Sequence, residues 1–143
     1  MIILGVDLGE RRVGFAVSDE KELLAVTSGS ARVRSLDAAL LAVAGKAGTE
    51  RAGLVVVGHP VNMNGRPGPK AREAALFAER LRDAGWAVEL WDERLTTSAA
   101  ERKLQAAGLD RRRRKALIDE NAAREILASF LERRARDGGG RSV

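Results

Sequence analysis

Apolar residues recur along the chain with two different periods, and these predict alternating strands and helices. Two similar apolar runs, 1–8 and 12–19, flank a short polar turn, which predicts a β-hairpin. A weaker third strand is predicted at 23–33, where small polar residues interrupt the pattern. Residues 54–57 show no polar alternation, which is typical of a strand buried on both faces.

Helical spacing of apolar residues alternates with the later strands. Ser35 is a suitable N-cap for the first helix, and Gly85 is a suitable C-cap for the second. After the third strand we expect helix, strand, helix, strand, helix and helix, in the order 35–51, 52–60, 70–84, 86–94, 96–108 and 119–137. This order predicts an α/β fold with a mixed five-stranded sheet covered by helices, in which the first three strands are antiparallel and the later ones parallel.

Length and composition fit one folded domain. A chain of 143 residues, 45% of them hydrophobic, can fill one core, which we place at 1–136 with a disordered tail at 137–143. No apolar run approaches the roughly 18 residues of a membrane span and no signal-peptide pattern is present, so we expect a cytoplasmic protein that does not bind membranes. The absence of cysteine excludes disulfides and thiolate metal sites, but not a cation held by carboxylates.

The charge balance favours a polyanionic partner. The chain has 25 Lys and Arg residues against 20 Asp and Glu, and only five of those cations are lysine. The planar arginine guanidinium matches phosphate oxygens, which points to nucleic acid. Aromatic residues make up 3% of the chain, so we expect recognition of backbone and shape rather than base stacking.

Asp7 is an acidic residue in a place where the pattern demands an apolar one. Strand alternation puts it on the same face as Ile3 and Gly5, within an otherwise apolar strand. A carboxylate in a covered sheet is costly unless it is paired or binds a metal. The alternative is that Asp7 neutralises an arginine such as Arg11 or Arg12, or caps a turn.

Further acids lie where the fold could bring them close to Asp7. Asp92 and Glu93 end the fifth strand, where open α/β sheets usually place their sites, but they point to opposite faces and spacing alone does not choose between them. Either could instead pair with Arg94. Asp119 shares the apolar stripe of the last helix, and its alternative role is the N-cap of that helix.

Carboxylates from two strand ends and one helix could converge on one or two divalent cations. Hard oxygen ligands suit Mg²⁺ or Mn²⁺, and such ions commonly serve the hydrolysis of phosphodiesters. The acidic residues therefore predict metal-dependent phosphodiester hydrolysis that needs no catalytic serine or cysteine.

Four motifs resemble those of a known family. In chain order they are DLGERRVGFAVSD, VVVGHPVNMNG, DERLTTSAA and DENAAREIL, and they extend from Met1 to about Leu131. They are similar to the YqgF family, also called RuvX, which comprises Holliday-junction-resolvase-like proteins with the RNase H fold that are implicated in processing the 5′ end of pre-16S rRNA.

The resemblance implies an RNase H-like nuclease domain at 1–136 that cuts pre-16S rRNA with Mg²⁺ or Mn²⁺. It implies that Asp7, Glu93 and Asp119 are the catalytic and metal-binding acids, and so selects Glu93 over Asp92. Related resolvases carry another acid at the end of the strand that reads VVVGHP here, where this chain has none.

Basic residues are candidates for contacts to the nucleic acid. Arg12 matches the family's arginine after the first strand and is expected to contact phosphate. A basic run ahead of the last helix could guide phosphates, or could be a solvated loop: Arg111, Arg112, Arg113, Arg114 and Lys115. His59 is the single histidine, and a structural role is expected for it before a catalytic one.

Other functions fit the same residues. A Holliday junction resolvase would act on branched DNA and would need two sites, hence a homodimer, whereas the sequence itself allows a monomer or a homodimer. A non-catalytic RNA-binding ribosome-assembly factor could keep the fold, although a pure binder gains nothing from clustered acids. An actin-like ATPase also opens with a DLG strand, but it needs two related halves, and this chain has the length of one.

Overall fold

In the computed structural model of the chain, the described residues are 1–62, 64–95 and 111–138, and for 111–120 the description covers the backbone alone. The strands are β1 (Ile3–Leu8), β2 (Arg12–Ser18), β3 (Ala25–Arg32), β4 (Leu54–His59) and β5 (Val88–Asp92). The helices among the described residues are α1 (Leu36–Glu50), α2 (Pro69–Asp83) and α3 (Arg111–Asp137), and a short 3₁₀ turn, Glu93–Leu95, follows β5.

The five strands form one sheet in the order β3-β2-β1-β4-β5. β1 pairs antiparallel with β2, and β2 pairs antiparallel with β3. β4 runs parallel to β1, and β5 runs parallel to β4. The predicted mixed sheet is therefore confirmed, and the carboxyl ends of β1, β4 and β5 lie at one edge because these three strands are parallel.

Helices cover both faces of the sheet, which explains why β1 and β4 carry apolar residues on both faces. Leu4 and Val6 of β1 pack in a core with buried residues of α1 and α2, among them Val43 and Phe77. Strand residues that point to the other face of the sheet pack against α3 in a second core. This core comprises Ile3, Ala16, Leu54 and Val56 of the strands and Ala123, Ile126, Leu127, Phe130 and Leu131 of α3. We call these the α1/α2 face and the α3 face of the sheet.

The predicted helix ends are partly confirmed. Ser35 caps α1, since its hydroxyl accepts a hydrogen bond of 3.0 Å from the Ala38 amide. The cap residue of α2 is Ala84, and Gly85 follows it with a φ of 101°. The predicted C-cap is thus one residue too late, and the glycine serves as the left-handed residue that ends the helix.

The beginning of the last helix differs from the prediction. α3 begins at Arg111 and not at Asp119, so the basic run belongs to the helix and the reading of that run as a loop is wrong. Arg, Lys, Ala and Leu all favour helix, and no Gly or Pro interrupts 111–118. Asp119 lies eight residues inside the helix, which excludes the N-cap role. The predicted helix at 96–108 and most of the tail at 137–143 lie outside the described residues.

No helix in the described part of the chain combines the length and the apolar character that crossing a bilayer requires.

Candidate functional site

Asp7 lies near the carboxyl end of the central strand. It is half-buried and pairs across the ladder with Gly14 of β2, which contributes no side chain beside it. It shares its parity with Ile3 and Gly5, and both of these residues contact α3, so Asp7 belongs to the α3 face of the sheet. The sheet therefore places this carboxylate next to a glycine, at the edge where the parallel strands end.

Glu93 begins the turn after β5 and reaches back over β4. A Cβ atom added to Gly58 would lie 2.7 Å from Oε2 of Glu93 and 2.6 Å from Cδ1 of Ile126. Because Ile126 belongs to α3, the Glu93 carboxylate and the open side of Gly58 lie on the α3 face. Glu93 thus occupies the volume that a side chain at position 58 would fill.

The register of the sheet connects Asp7 and Glu93. Val6 pairs with Val57 in the parallel ladder between β1 and β4. One residue further along, Asp7 is beside Gly58, and neighbouring strands are about 4.8 Å apart. The carboxylate over Gly58 and the carboxylate of Asp7 therefore share one face and one edge of the sheet.

The surroundings of Glu93 disfavour its charged form. Burial raises the pKa of Glu93, and the negative charge of Asp92 raises it further, whereas the ammonium group of Lys70 acts in the opposite direction. A cation that approaches Glu93 would stabilise its charged form. Lys70 stands in the first turn of α2, which follows the β4 loop.

Asp92 is occupied by a different interaction. Its carboxylate accepts a hydrogen bond of 2.6 Å from Nη2 of Arg94 and another of 2.9 Å from Nε. The Arg94 hydrogen bonds outweigh the desolvation of Asp92 and lower its pKa. Asp92 also pairs in register with His59, and both residues have the parity of the α1/α2 face. Asp92 and His59 are thus directed away from the face that carries Asp7.

Arg12 begins β2 at the same edge as Asp7. It precedes Gly14 by two residues, so it has the parity of Asp7. Its Nη1 donates a long hydrogen bond of 3.5 Å to the hydroxyl of Ser30 in β3. Asp119 and the basic residues 111–115 lie in α3, but their side chains are outside the described part of the chain.

A hydrogen-bonded chain joins α3 to the turn that carries Glu93. Nε1 of Trp91 donates to the Ser129 hydroxyl at 3.0 Å, and that hydroxyl donates to the carbonyl of Leu95 at 3.2 Å. Trp91 also packs edge-on against Phe130, with 5.6 Å between the ring centroids. Trp91 in β5, before the turn, and Leu95 at its end are therefore both tied to the last helix.

Three residues of this region have no counterpart in the sequence prediction. Gly58 could have been recognised as a glycine at the end of an otherwise fully apolar strand, a usual sign of close approach. Ser129 and Lys70 carried no such signal, because their partners are distant in sequence.

The chemistry of the acids fits a hard divalent cation. Among the described side chains, no three His, Asp or Glu residues form a group that could hold a metal ion. Asp7 and Glu93 present carboxylate oxygens on one face, and burial together with the charge of Asp92 raises the pKa of Glu93. Carboxylate oxygens suit Mg²⁺ and Mn²⁺ better than softer metals.

Two solved structures of resolvases share this architecture. T. thermophilus RuvC in complex with Holliday junction substrate is similar over 96% of each chain, with a TM-score of 0.57 and 16% identity. The fowlpox virus Holliday junction resolvase is similar over 93% of this chain and 99% of that chain, with a TM-score of 0.55 and 13% identity. The protein therefore has the RNase H-like α/β fold of this class.

Sequence comparison gives the family within that class. Residues 1–133 match the family model described as "RuvX: Holliday junction resolvase". A Myxococcus xanthus protein named "Putative pre-16S rRNA nuclease" is 44% identical over 133 residues, which cover 92% of this chain and 88% of that protein. A protein of the same name from Symbiobacterium thermophilum is 46% identical over 139 residues and 94% of each chain. The chain belongs to the RuvX family, as its motifs predicted.

Proposed function

We propose that the protein is a metal-dependent endonuclease that hydrolyses phosphodiester bonds in structured nucleic acid, and that its substrate is the 5′ end of pre-16S rRNA. The observation that carries the proposal is the position of the Glu93 carboxylate over Gly58, on the face and edge of the sheet that also carry Asp7. The names of the relatives at 44% and 46% identity support the choice of RNA.

In this proposal, three acids from different elements of the fold bind the metal. Asp7 is held by the central strand, and Glu93 by a turn that is fastened to α3, so both carboxylates are positioned before substrate arrives. Asp119 precedes Ala123 by four residues, one helical turn, and the sequence prediction makes it the third ligand. When bound by these acids, Mg²⁺ or Mn²⁺ supplies Lewis-acid chemistry that activates water and offsets phosphate charge.

Basic residues bind the substrate in the same proposal. Arg12 lies at the edge and on the face of Asp7, where its guanidinium can contact a phosphate near the bond that is cut. The basic run 111–115, within the first turns of α3, attracts the backbone electrostatically and makes binding salt dependent. His59 and Asp92 take no part, since their parity places them on the other face.

The description of the matching family, Holliday junction resolvase, supports a second substrate, branched DNA. Both substrates use the same hydrolytic chemistry. They differ in the geometry of the nucleic acid, and symmetric cutting of a junction requires a dimer.

A cleavage assay with matched variants tests the proposal. Wild type, Asp7→Asn, Glu93→Gln and Asp119→Asn are incubated with Mn²⁺ or Mg²⁺ and with pre-16S rRNA, single-stranded RNA, single-stranded DNA or a four-way junction. We expect cutting by the wild type and a loss of at least 10²-fold in each variant, while binding measured in EDTA persists. Asp92→Asn is the control, since it removes a neighbouring carboxylate that faces the other way.

The substrate that is cut decides between RNA processing and junction resolution. If nothing is cut by the wild type while RNA binding is retained, the nuclease proposal fails and a non-catalytic assembly factor is the better description. Equal losses in Asp92→Asn and Glu93→Gln would contradict the assignment of Glu93.

A further inference from the structure

Three arginines line a depression beside the first hairpin, apart from the acidic site. Its volume is about 520 Å³, and it is lined by Arg11, Arg32, Val33 and Arg34. Arg11 belongs to the turn between β1 and β2, whereas Arg32 ends β3. The amide of Val33 donates a hydrogen bond of 2.9 Å to the carbonyl of Arg11 and so fastens the two segments to each other.

The positive charges of this arginine depression are uncompensated within the described part of the chain. All three arginines are exposed, and none of them makes an ion pair with a described residue. Some arginines elsewhere are engaged: Arg80 pairs with Asp37 at 3.0 Å, and Arg134 with Glu22 at 2.6 Å. Three like charges held around one concavity repel one another, and a bound anion removes that repulsion.

The depression lies at the edge of the sheet where Asp7 stands. Arg12, at the start of β2, pairs in register with Arg32, at the end of β3. Asp7 is on β1, two strands away from β3, so about 10 Å separates the two strands. Helix α1 begins at Leu36, just after Arg34, and its N-terminal dipole adds to the positive potential. A nucleic acid strand that crosses the acidic site can thus pass over the depression.

From this placement the structure assigns to Arg11, Arg32 and Arg34 a second phosphate-binding surface. It holds a backbone phosphate of the substrate strand other than the one at the acidic site. The ligand chemistry is that of a phosphodiester, which RNA and DNA share. The assignment rests on the proposed function only in taking the polyanion to be nucleic acid. The strand is then bound both at the acidic site and at the depression, which orients it across the sheet.

Salt-dependent binding of a single strand tests the assignment. Arg11→Gln/Arg32→Gln/Arg34→Gln is compared with Lys21→Gln/Arg51→Gln/Arg136→Gln, which removes the same charge from exposed positions toward the opposite edge. Fluorescent single-stranded RNA and DNA of one sequence are titrated in EDTA at several KCl concentrations. Omitting the metal separates binding from cleavage, and thermal unfolding of both variants verifies folding.

The slope of log K against log[KCl] is the decisive readout. Each phosphate contact to a single strand contributes about 0.7 to this slope. We expect the depression variant to lose about 2 from the slope and roughly tenfold or more in affinity at 0.1 M KCl, while the control keeps the wild-type slope. Equal losses in both variants, or an unchanged slope in the first, would overturn the assignment. The charge reversal Arg34→Glu alone should also weaken binding, as the triple variant does.

The RNA and DNA arms identify the favoured strand. A loss confined to one of them makes that nucleic acid the ligand of the depression, and equal losses make the contact specific for the phosphodiester alone. Because no step of this experiment requires cutting, an inactive wild type would end the nuclease proposal without affecting the result on binding.

Discussion

The Glu93 carboxylate occupies the space beside Gly58: its Oε2 lies 2.7 Å from the place where a Cβ atom of residue 58 would be. Gly58 belongs to β4, and Glu93 begins the turn that follows β5, the strand parallel and adjacent to β4. The glycine at the end of β4 leaves room for the carboxylate, because a Cβ atom there would force the Glu93 carboxylate or Cδ1 of Ile126 to move.

Gly58→Ala is therefore expected to abolish most of the activity while the protein still folds. The added methyl group conflicts with the Glu93 carboxylate, and misplacement of a catalytic group by about 1 Å can reduce the rate by about 10²-fold. The measurement is single-turnover cleavage with saturating metal, alongside binding in EDTA, which should change little because Glu93 repels rather than attracts phosphate.

Two controls isolate the contact with Glu93. Ile126 also borders the site of the new methyl group, and Ile126→Val removes the Cδ1 atom that lies 2.6 Å from it. The double variant Gly58→Ala/Ile126→Val should remain inactive, and recovery of cutting would show that α3, not Glu93, had been displaced. Gly45→Ala in α1, which would meet no atom within 4 Å, should keep full activity.

The sheet and most helices are predictable because local patterns encode them. Alternation and apolar runs suffice for β1, β2 and β4, and the order of elements suffices for the mixed pairing. The start of α3 is not predictable in this way. The run at 111–115 is polar on all sides, and only its helix propensity, a weak signal, distinguishes it from a loop.

The candidate site is predictable only in its residue types. The parity of Asp7 follows from its strand, but the choice between Asp92 and Glu93 depends on how β5 lies beside β4. That register, in which Gly58 pairs with Trp91, is a tertiary property. The clearance at Gly58 likewise depends on the approach of Ile126 in α3, which is distant from Gly58 in sequence.

Ser129 is expected to position Glu93 without touching substrate. Ser129→Ala removes the hydroxyl that joins Trp91 to the carbonyl of Leu95, so the turn that begins with Glu93 loses its anchor on α3. We expect a several-fold to tenfold fall in kcat with little change in binding, and a destabilisation of about 1–2 kcal/mol from the lost hydrogen bonds. Cleavage kinetics and urea unfolding measure the two effects.

A matched serine separates loss of position from loss of stability. Ser35→Ala removes the N-cap of α1 and should also cost about 1 kcal/mol. Its kcat should stay at the wild-type value at a temperature where both variants are folded. If Ser35→Ala and Ser129→Ala reduced kcat alike, stability alone would explain the effect.

Gly5→Ala tests the close packing of α3 on β1. The new Cβ atom would lie 2.8 Å from Cβ of Leu127 and 3.0 Å from the carbonyl oxygen of Ala123. Neither atom can rotate away, so the helix must shift, and we expect a destabilisation of about 1–3 kcal/mol. Thermal unfolding measures it, with Gly48→Ala, whose Cβ atom would meet nothing within 4 Å, as the control. Equal unfolding temperatures for the two variants would contradict the tight contact.

The ion pairs of Glu22 predict an acid-sensitive contribution to stability. Its carboxylate accepts hydrogen bonds from Nε of Arg134 at 2.6 Å and from the N-terminal amine of Met1 at 3.1 Å. Burial acts to raise the pKa of Glu22, but these two cationic partners together outweigh burial and lower it from its ordinary value of 4.5. A lowered pKa in the folded state means that the stabilisation is present above pH 4.5 and is lost as the pH falls through the folded-state pKa.

Glu22→Gln should therefore destabilise the protein by about 1–2 kcal/mol at pH 7 and by less at pH 3, which lies below the ordinary pKa of 4.5, so that part of the stabilisation is already lost there. Urea unfolding of both proteins at the two pH values measures the difference. Glu50→Gln breaks the surface pair with Lys46, so it should change stability by less than about 0.5 kcal/mol at either pH. Acidification removes the charge of Glu22 but not its packing. An equal loss of stability in Glu22→Gln at pH 7 and pH 3 would therefore show that the glutamate acts through packing.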